Sequence, residues 1–353
     1  MSHSTQPVFG AHGSTAGTVP AFDAAADANG DGYLDDAEYA RRAPGKDARF
    51  LYESRLFTPY YGQMRYATRP AEAGFRAWCV TFHERDLEGN PLGGGLFMDN
   101  ADGKPPAQPA DVREPLTGYG EECGAVVHAV GEAIAPRFML LNVAGGGKRA
   151  DPLVRQSPFY YEEFVIRPLA HNYATFEDVA GTVERRAALT RPAPYAVLDS
   201  HPQGGAVDDP RTQLGVLAYY YLLADPDSTF LTIFGGFEPG TTWKRHWIPA
   251  AAHDVGRPTG RRSVFATGPD PAKPTLTYRV YQRRYEKAWV LFKPLSYVRG
   301  GWREKVSTGD DSATHHPLGG QYRPLHADGT LGDRVDTISL RNGEGAILIK
   351  AEP

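Results

Sequence analysis

Cysteine is scarce in this sequence of 353 residues, which contains only Cys79 and Cys123. The two are not spaced as C-x-x-C, and two thiolates alone cannot complete a tetrahedral zinc site. Two outcomes remain open for them. They can pair in an oxidising compartment, or they can stay as buried free thiols.

An excess of one charge sign is also lacking, and so are long apolar runs. The 38 Lys and Arg residues nearly balance the 42 Asp and Glu residues, for a formal net charge of −4. Because no basic cluster is present, a nucleic-acid partner is not expected. No apolar run approaches the roughly 18–20 residues that a membrane-spanning helix needs, so no membrane partner is expected. The 41% hydrophobic and 23% charged residues are typical of a globular protein.

The N-terminal segment lacks the apolar core of a signal peptide. Residues 1–19 are rich in Ser, Thr, Gly and His, and residues 1–20 are predicted to form a flexible arm. We therefore expect either a cytoplasmic protein or a chain that has lost an upstream segment.

The most complete motif lies between Asp27 and Glu38, where the sequence matches D-x-[DN]-x-[DN]-G-x5-E at every position. Ca²⁺ takes about six to eight oxygen ligands, and this spacing gathers them around a turn at Gly32. The predicted ligands are Asp27, Asn29, Asp31, the backbone carbonyl of Tyr33, Asp35 through a water, and Glu38. The alternative is a polar turn without metal. Because no second loop of this kind follows, we expect a lone EF-hand-like calcium site and not a paired sensor.

Apolar runs alternate with helical patterns from residue 47 to about residue 240. Strands are predicted at residues 47–58, 95–100, 137–143, 158–164, 195–198 and 229–234. Helices are predicted between them at residues 70–87, 121–135, 176–189 and 212–224. Strands joined through helices indicate right-handed crossovers and a parallel sheet.

Helical patterns stop after about residue 240, and short strands separated by turns follow. These strands are predicted at residues 275–282, 287–293, 337–340 and 346–350. The pattern predicts a small antiparallel β-sandwich.

Polar side chains stand at the predicted carboxyl ends of the parallel strands. They are Asp99, Asn100, Asn142, Glu162, Glu163, Asp199 and His201. Ligands of parallel α/β folds bind beyond those ends, and glycoside hydrolysis needs two carboxyl groups around the scissile bond. Asp99 with Glu162 or Glu163 is therefore the candidate catalytic pair, and Tyr161 suits a sugar ring. The alternative for Asp99 is a turn-forming residue, and strand alternation turns one of the two glutamates away from the site.

Other catalytic classes are disfavoured by missing motifs. The sequence has no G-x-S-x-G elbow of a serine hydrolase, and no G-x-G-x-x-G follows a strand as in nicotinamide enzymes. The pair His315 and His316 is predicted to lie in a loop, without partners for a catalytic metal.

Several strand sequences together resemble a known type of enzyme. GLFMDN, RFMLLN, YYEEF, YAVLDS and TFLTIFGG look like the later strands of a glycoside-hydrolase-like (β/α)8 barrel. They are similar to uncharacterised glycosidase families related to endo-α-1,4-polygalactosaminidases and, more distantly, to α-galactosidases. VYQRRYEKAWVLFKPLS and RNGEGAILIK look like the β-sandwich that follows such barrels.

The resemblance implies roles for the strand-end residues. Asp99 would end the fourth strand as a catalytic carboxylate, and Glu162 or Glu163 would end the sixth as its partner. The sugar subsite would be lined by Asn100, Asn142, Tyr161, Asp199 and His201. The implied activity is cleavage of a polysaccharide or oligosaccharide, and such proteins are usually exported. An extracellular or periplasmic location is therefore expected if a segment precedes this chain.

The expected fold is an α/β fold of the TIM (β/α)8 type, followed by the sandwich. The arm would cover residues 1–20, the calcium loop residues 21–43, the barrel residues 44–245 and the sandwich residues 246–353. The barrel would contain strands four to eight, and the third if residues 47–58 form a strand, which leaves it short at its N-terminal end. The rival interpretation is a non-catalytic calcium-binding or carbohydrate-binding protein on a degenerate barrel. The oligomeric state is not indicated.

Overall fold

The computed structural model describes residues 57–60, 63–66, 70–71, 73–89, 94–99, 101, 103, 118–200, 206–235, 244–298 and 306–351. The chain separates into two compact units. The first comprises Met1–Glu162 and Arg186–Ala196, and the second comprises Glu163–Arg185 and Val197–Pro353. The predicted arm and calcium loop lie outside the described residues.

The first unit contains a short hairpin and the first parallel strands. Its elements are β1 (Phe57–Tyr60), β2 (Gln63–Tyr66), α1 (Ala73–Glu88), β3 (Gly95–Met98), α2 (Tyr119–Ile134), β4 (Phe138–Asn142), α3 (Asp151–Val154) and β5 (Phe159–Glu162). β1 and β2 pair antiparallel in a sheet of their own, whereas β3, β4 and β5 are parallel neighbours in that order. The helices predicted at residues 70–87 and 121–135 and the strands predicted at residues 95–100, 137–143 and 158–164 are confirmed, with ends shifted by a few residues. Most of the strand predicted at residues 47–58 lies outside the described residues.

Alternation along these strands separates two faces of the sheet. Leu96, Met98, Met139 and Leu141 are buried on the face that α1 and α2 cover. The opposite face is less covered, since Phe97 and Leu140 are half-buried and Phe138 is 48% exposed. Parallel sheets usually have both faces covered, whereas the described residues leave this face partly exposed.

The second unit holds the remaining elements. They are most of α4 (Tyr173–Ala187), the end of β6 (Tyr195–Ser200), α5 (Pro210–Leu223), β7 (Thr229–Gly235), β8 (Lys244–Arg245), β9 (Ser263–Pro269), β10 (Thr277–Arg284), β11 (Ala288–Lys293), β12 (Thr314–Pro324), β13 (Val335–Leu340) and β14 (Glu344–Lys350). β6, β7 and β8 are neighbours in that order, and β8 is antiparallel to β7. At the start of α5 the Asp209 carboxylate accepts a hydrogen bond from the N–H of Thr212 at 2.9 Å, which caps the helix.

The six strands β9 to β14 form one antiparallel sheet in the order β13-β12-β14-β11-β10-β9. The predicted antiparallel strands are thus present as one curled sheet, and the second sheet of a β-sandwich stays a prediction. α5 covers one face, where Phe292 contacts Tyr219 with 5.1 Å between ring centroids. Trp289 and Leu291 point to the other face and belong to a separate buried cluster. The central strands β11 and β14 are therefore buried on both faces, whereas the end strands β9 and β13 are largely exposed.

Three further predictions need correction. A closed eight-stranded barrel is not present in the described part of the chain, where β8 runs antiparallel to its neighbour. His315 and His316 lie within strand β12, not in a loop. Strands β9 and β12 were not predicted, because glycines and prolines interrupt their alternation, as Pro317, Gly319 and Gly320 do in β12.

The two cysteines are buried and free, which decides the alternative that the sequence left open. Burial raises the pKa of the Cys79 thiol, so this group stays protonated and unreactive. None of the described helices is both long enough and apolar enough to cross a membrane.

Candidate active site

The carboxyl edge of β3 and β4 brings Asp99 and Asn142 together. Met98 of β3 pairs in register with Leu141 of β4, so the next residues of the two strands are neighbours. The Nδ2 atom of Asn142 donates a hydrogen bond to Oδ1 of Asp99 at 2.8 Å. The sequence prediction that these strand-end residues lie close together is realised for this pair, while their roles stay a prediction.

The side-chain amide of Asn142 is held in one orientation. Its Oδ1 accepts a hydrogen bond from the backbone N–H of Ala144 at 3.2 Å. That contact uses the acceptor end of the amide, so the donor end faces Asp99. The backbone carbonyl of Asn142 also accepts from the N–H of Ala101 at 2.7 Å, which fixes the turn after β3. Asn142 is buried, and its amide is therefore a rigid donor to the carboxylate.

Two aromatic side chains lie on the same face of the sheet as this pair. Phe97 precedes Asp99 by two residues, and Tyr161 is the register partner of Asn142. The rings of Phe97 and Tyr161 are in edge contact, with 5.8 Å between centroids. The face thus joins a carboxylate and an amide to a partly exposed aromatic surface, an arrangement suited to a ligand with polar and apolar sides.

Glu162 points to the opposite face of β5, because it follows Tyr161 directly on the strand. There it forms an ion pair with Arg186, whose side chain is 0% exposed. Arg186 also contacts Asp151, with 3.4 Å between Nε and Oδ1, and donates to the backbone carbonyl of Gly147 at 3.0 Å. Burial lowers the pKa of Arg186, whereas Tyr160 and Asp151 act in the opposite direction. These contacts are typical of a buried structural ion pair.

The second unit contains Glu163 and Asp199. Glu163 is half-buried, and Asp199 is completely buried at the end of β6. The Oδ2 atom of Asp199 accepts from the backbone N–H of Phe164 at 3.3 Å, and its backbone carbonyl accepts from the N–H of Ile166 at 2.9 Å. Phe164 has a φ of 56°, a left-handed conformation that a bulky residue rarely adopts. Asp199 therefore anchors a strained backbone segment in this unit.

The remaining predicted site residues lie outside the described residues. These are Asn100, His201 and the calcium ligands Asp27, Asn29, Asp31, Tyr33, Asp35 and Glu38. In the described part of the chain, no group of three or more His, Cys, Asp or Glu side chains is placed to hold a metal ion.

Sequence reasoning missed Arg186 and Phe97. Arg186 follows Val183 by three residues on the buried side of α4, where an apolar residue is expected. A charged residue on that side was the available signal for a buried ion pair. Phe97 was visible as the residue two before Asp99 on a strand, hence on the same face.

Comparisons with known proteins give weak likenesses only. No family model and no curated protein matches the sequence. Among solved structures, Ega3 of Aspergillus fumigatus in complex with galactosamine aligns with a TM-score of 0.32 and 12% identity, over 55% of this chain and 69% of that chain.

Two further structures align at similar levels. A cycloisomaltooligosaccharide glucanotransferase of Paenibacillus sp., complexed with cycloisomaltoheptaose, has a TM-score of 0.32 and 9% identity, over 87% of this chain and 41% of its own. A glucosidase of Croceicoccus marinus has a TM-score of 0.28 and 10% identity, over 78% of this chain and 75% of its own. Likenesses of this degree establish neither a common fold nor a common activity.

Proposed function

We propose that this protein is a glycoside hydrolase that cleaves a polysaccharide or oligosaccharide, with Asp99 as its nucleophile or base. The observation that carries the proposal is the Asp99–Asn142 hydrogen bond of 2.8 Å at the carboxyl edge of parallel strands. Parallel α/β folds bind their ligands at that edge. The aromatic pair Phe97 and Tyr161 on the same face supports a sugar ligand, because the apolar side of a pyranose can pack on a ring.

Asn142 supports the assignment of Asp99 as nucleophile or base. Its Nδ2 donates to Oδ1 of Asp99 and so holds the carboxyl group in one orientation. In a retaining enzyme Asp99 would attack the anomeric carbon and form a glycosyl-enzyme intermediate. In an inverting enzyme it would take a proton from the attacking water. In both, a second carboxylic acid protonates the leaving-group oxygen.

We propose Glu163 as that acid in preference to Glu162. The ion pair with buried Arg186 engages Glu162 on the far face of its strand, whereas a general acid has to reach the glycosidic oxygen. Asn100, Asp199 and His201 stay proposed contacts to the sugar.

The test is turnover of a panel of nitrophenyl glycosides and soluble polysaccharides, followed by NMR identification of the anomer released. Asp99→Asn is expected to lower kcat by about 10²–10⁴-fold, the usual contribution of a positioned carboxyl group. The exposed Asp178→Asn serves as the matched control and is expected to keep full activity. Full turnover by Asp99→Asn would remove the assignment.

A non-catalytic carbohydrate-binding protein is the second candidate, favoured by the same Phe97–Tyr161 contact. It predicts binding on a glycan array without release of reducing ends. Under this alternative, Phe97→Ala and Tyr161→Ala weaken binding, while Asp99→Asn leaves it unchanged.

We also propose that Ca²⁺ binds at Asp27–Glu38, on the support of the complete loop motif. The site would be structural, since it carries no residue of the proposed chemistry. Calorimetric titration is expected to show one Ca²⁺ per chain, and Glu38→Gln is expected to weaken binding strongly, because Glu38 closes such a loop bidentately. Glu53→Gln, outside the loop, is the control. No binding by the unmutated protein at millimolar Ca²⁺ would contradict the proposal.

A further inference from the structure

Three aromatic side chains form a row at the amino edge of the parallel strands. Phe138, Phe159 and Tyr195 are the first residues of β4, β5 and β6, which are neighbours in that order. The ring centroids of Phe138 and Phe159 are 5.2 Å apart. Phe159 and Tyr195 stack, with 5.1 Å between centroids and 19° between the ring planes. All three belong to the first unit, and we call them the aromatic row.

The aromatic row reaches solvent although the strands that carry it are packed on their other face. Phe138 is 48% exposed and Tyr195 is 38% exposed, and Phe159 between them is half-buried. The next residues along β4 and β5, Met139 and Tyr160, are only 2% and 1% exposed. The exposure of the row is therefore a property of this face of the sheet and not of loosely packed strands.

Backbone contacts hold the three rings at a fixed spacing. The Oγ atom of Ser157 lies 2.9 Å from the carbonyl oxygens of both Met139 and Phe159, which ties the start of β5 to β4. The N–H of Tyr195 donates to the carbonyl of Pro158 at 2.8 Å and ties the start of β6 to β5. A surface that is ordered before binding loses little conformational entropy when a ligand arrives.

The size of the row indicates which kind of ligand fits it. A fully buried aromatic side chain removes about 150–250 Å² from water, so three partly exposed rings offer roughly 200 Å². A stable protein interface buries about 800 Å² on each partner, which disfavours a second copy of the chain. A sugar ring can pack its apolar face on an aromatic ring while its hydroxyl groups stay in water. Arg137, exposed directly before Phe138, adds hydrogen-bond donors for such hydroxyls.

We propose that the aromatic row binds a segment of a glycan chain at a site separate from Asp99. The choice of a glycan as the ligand rests on the proposed function. Phe159 precedes Tyr161 by two residues and Phe138 precedes Asn142 by four, so the row lies about 7–13 Å along the strands from the Asp99 edge. A chain of several sugar units can contact both places, whereas a monosaccharide can contact only one. The protein therefore favours long glycan chains through two linked contacts.

Calorimetric titration of the full-length Asp99→Asn protein tests this preference without cleavage of the ligand. The probes are gluco-, galacto- and mannooligosaccharides from disaccharide to octasaccharide, and affinity for one of these series is expected to rise with length. Phe138→Leu keeps an apolar side chain but loses the ring, and is expected to weaken octasaccharide binding by about three- to tenfold. Phe138→Tyr is expected to restore it. Phe230→Leu is the matched control, because Phe230 of β7 is 51% exposed in the second unit, and is expected to leave the affinity unchanged.

The outcomes separate this proposal from the proposed function. Length-dependent binding by a protein that cleaves none of the probes would remove the hydrolase and leave the row. Cleavage of a probe that Phe138→Leu binds at full affinity would remove the row and leave the hydrolase. Equal losses for Phe138→Leu and Phe230→Leu, or no binding of any probe, would also overturn the proposal.

Two further measurements complete the test. Urea unfolding checks that each variant is folded, and Tyr195→Leu replaces Phe138→Leu if the latter is not. Sedimentation tests for a second copy of the chain on the row. A dimer of the unmutated protein that becomes a monomer in Phe138→Leu would show that a second copy occupies the row, and would overturn the proposal.

Discussion

At the level of single residues, two carboxylates at the ends of β3 and β5, the strands on either side of β4, have different surroundings. Asp99 accepts a hydrogen bond from a neutral amide on a face with exposed aromatic surface. Glu162 is paired with Arg186 in the interior of the first unit. The two surroundings differ because Asp99 and Glu162 lie on opposite faces of the sheet. Successive residues of a strand alternate between these faces.

This contrast predicts separate effects for the adjacent glutamates. Among the described residues, Glu162→Gln leaves the buried Arg186 with Asp151 as its carboxylate partner. The change is expected to lower the free energy of unfolding by about 1–3 kcal/mol. Glu163→Gln is expected to change stability by less than about 0.5 kcal/mol but to lower kcat by about 10²–10⁴-fold. Urea unfolding and glycoside turnover on both variants provide the check. Lost turnover with unchanged stability for Glu162→Gln would reverse the assignment.

Lys293 is a buried cation at the end of β11. Its Nζ donates to the backbone carbonyl of Ser312 at 2.6 Å, which ties β11 to the turn before β12. Burial lowers the pKa of Lys293 to about 8, although Asp270 and Glu344 oppose this shift. The amine is therefore more easily deprotonated in the folded protein than in the unfolded chain, where the pKa is about 10.4.

The lowered pKa of Lys293 makes the free energy of unfolding increase with pH. Between pH 8 and pH 10 the unfolded chain binds more protons at this site than the folded protein, so the free energy of unfolding gains from rising pH. In that window, the free energy of unfolding of the unmutated protein is expected to increase relative to that of Lys293→Met by at most about 1.4 kcal/mol per pH unit. Urea unfolding of both proteins at several pH values measures the gain. A difference that stays flat or falls would show that Lys293 keeps its proton.

At the level of elements, close contact between α5 and β14 explains how one face of the antiparallel sheet is covered. A Cβ atom on Gly345 of β14 would lie 2.3 Å from the Cβ of Ala218 and 2.9 Å from the carbonyl of Leu214 in α5. Only glycine allows the helix to approach the strand this closely. The helix thereby covers this face of the antiparallel sheet.

The contact makes Gly345→Ala a direct test of this packing. The added methyl group has no room, and overpacking is expected to lower the free energy of unfolding by about 1–3 kcal/mol. Gly181→Ala in α4 is the matched control, because no atom lies within 4 Å of the added Cβ. Alanine there is expected to stabilise the helix by about 0.5–1 kcal/mol. Urea unfolding supports this packing if Gly345→Ala lowers the free energy of unfolding and Gly181→Ala raises it.

At the level of the whole molecule, the chain combines a parallel α/β part with a curled antiparallel sheet. Alternating apolar runs and helical patterns were sufficient to predict β3, α2, β4, β5 and α5 near their observed bounds. The period of these patterns is a local property, which is why one sequence reveals it. The described residues include the parallel strands of the expected TIM-type fold but do not show a closed barrel. Closure depends on strands that pair across long sequence separations, which a local pattern does not reveal.

The sequence alone determined the alternation of strands and helices, the polar residues at the strand ends and the complete calcium motif, since each depends on neighbours along the chain. Only the tertiary structure decided that Asn142 donates to Asp99 and that Glu162 pairs with Arg186, a residue on a later helix. It also decided that α5 packs closely on β14. Such contacts join residues far apart in sequence, and their partners depend on register and packing that no local pattern contains.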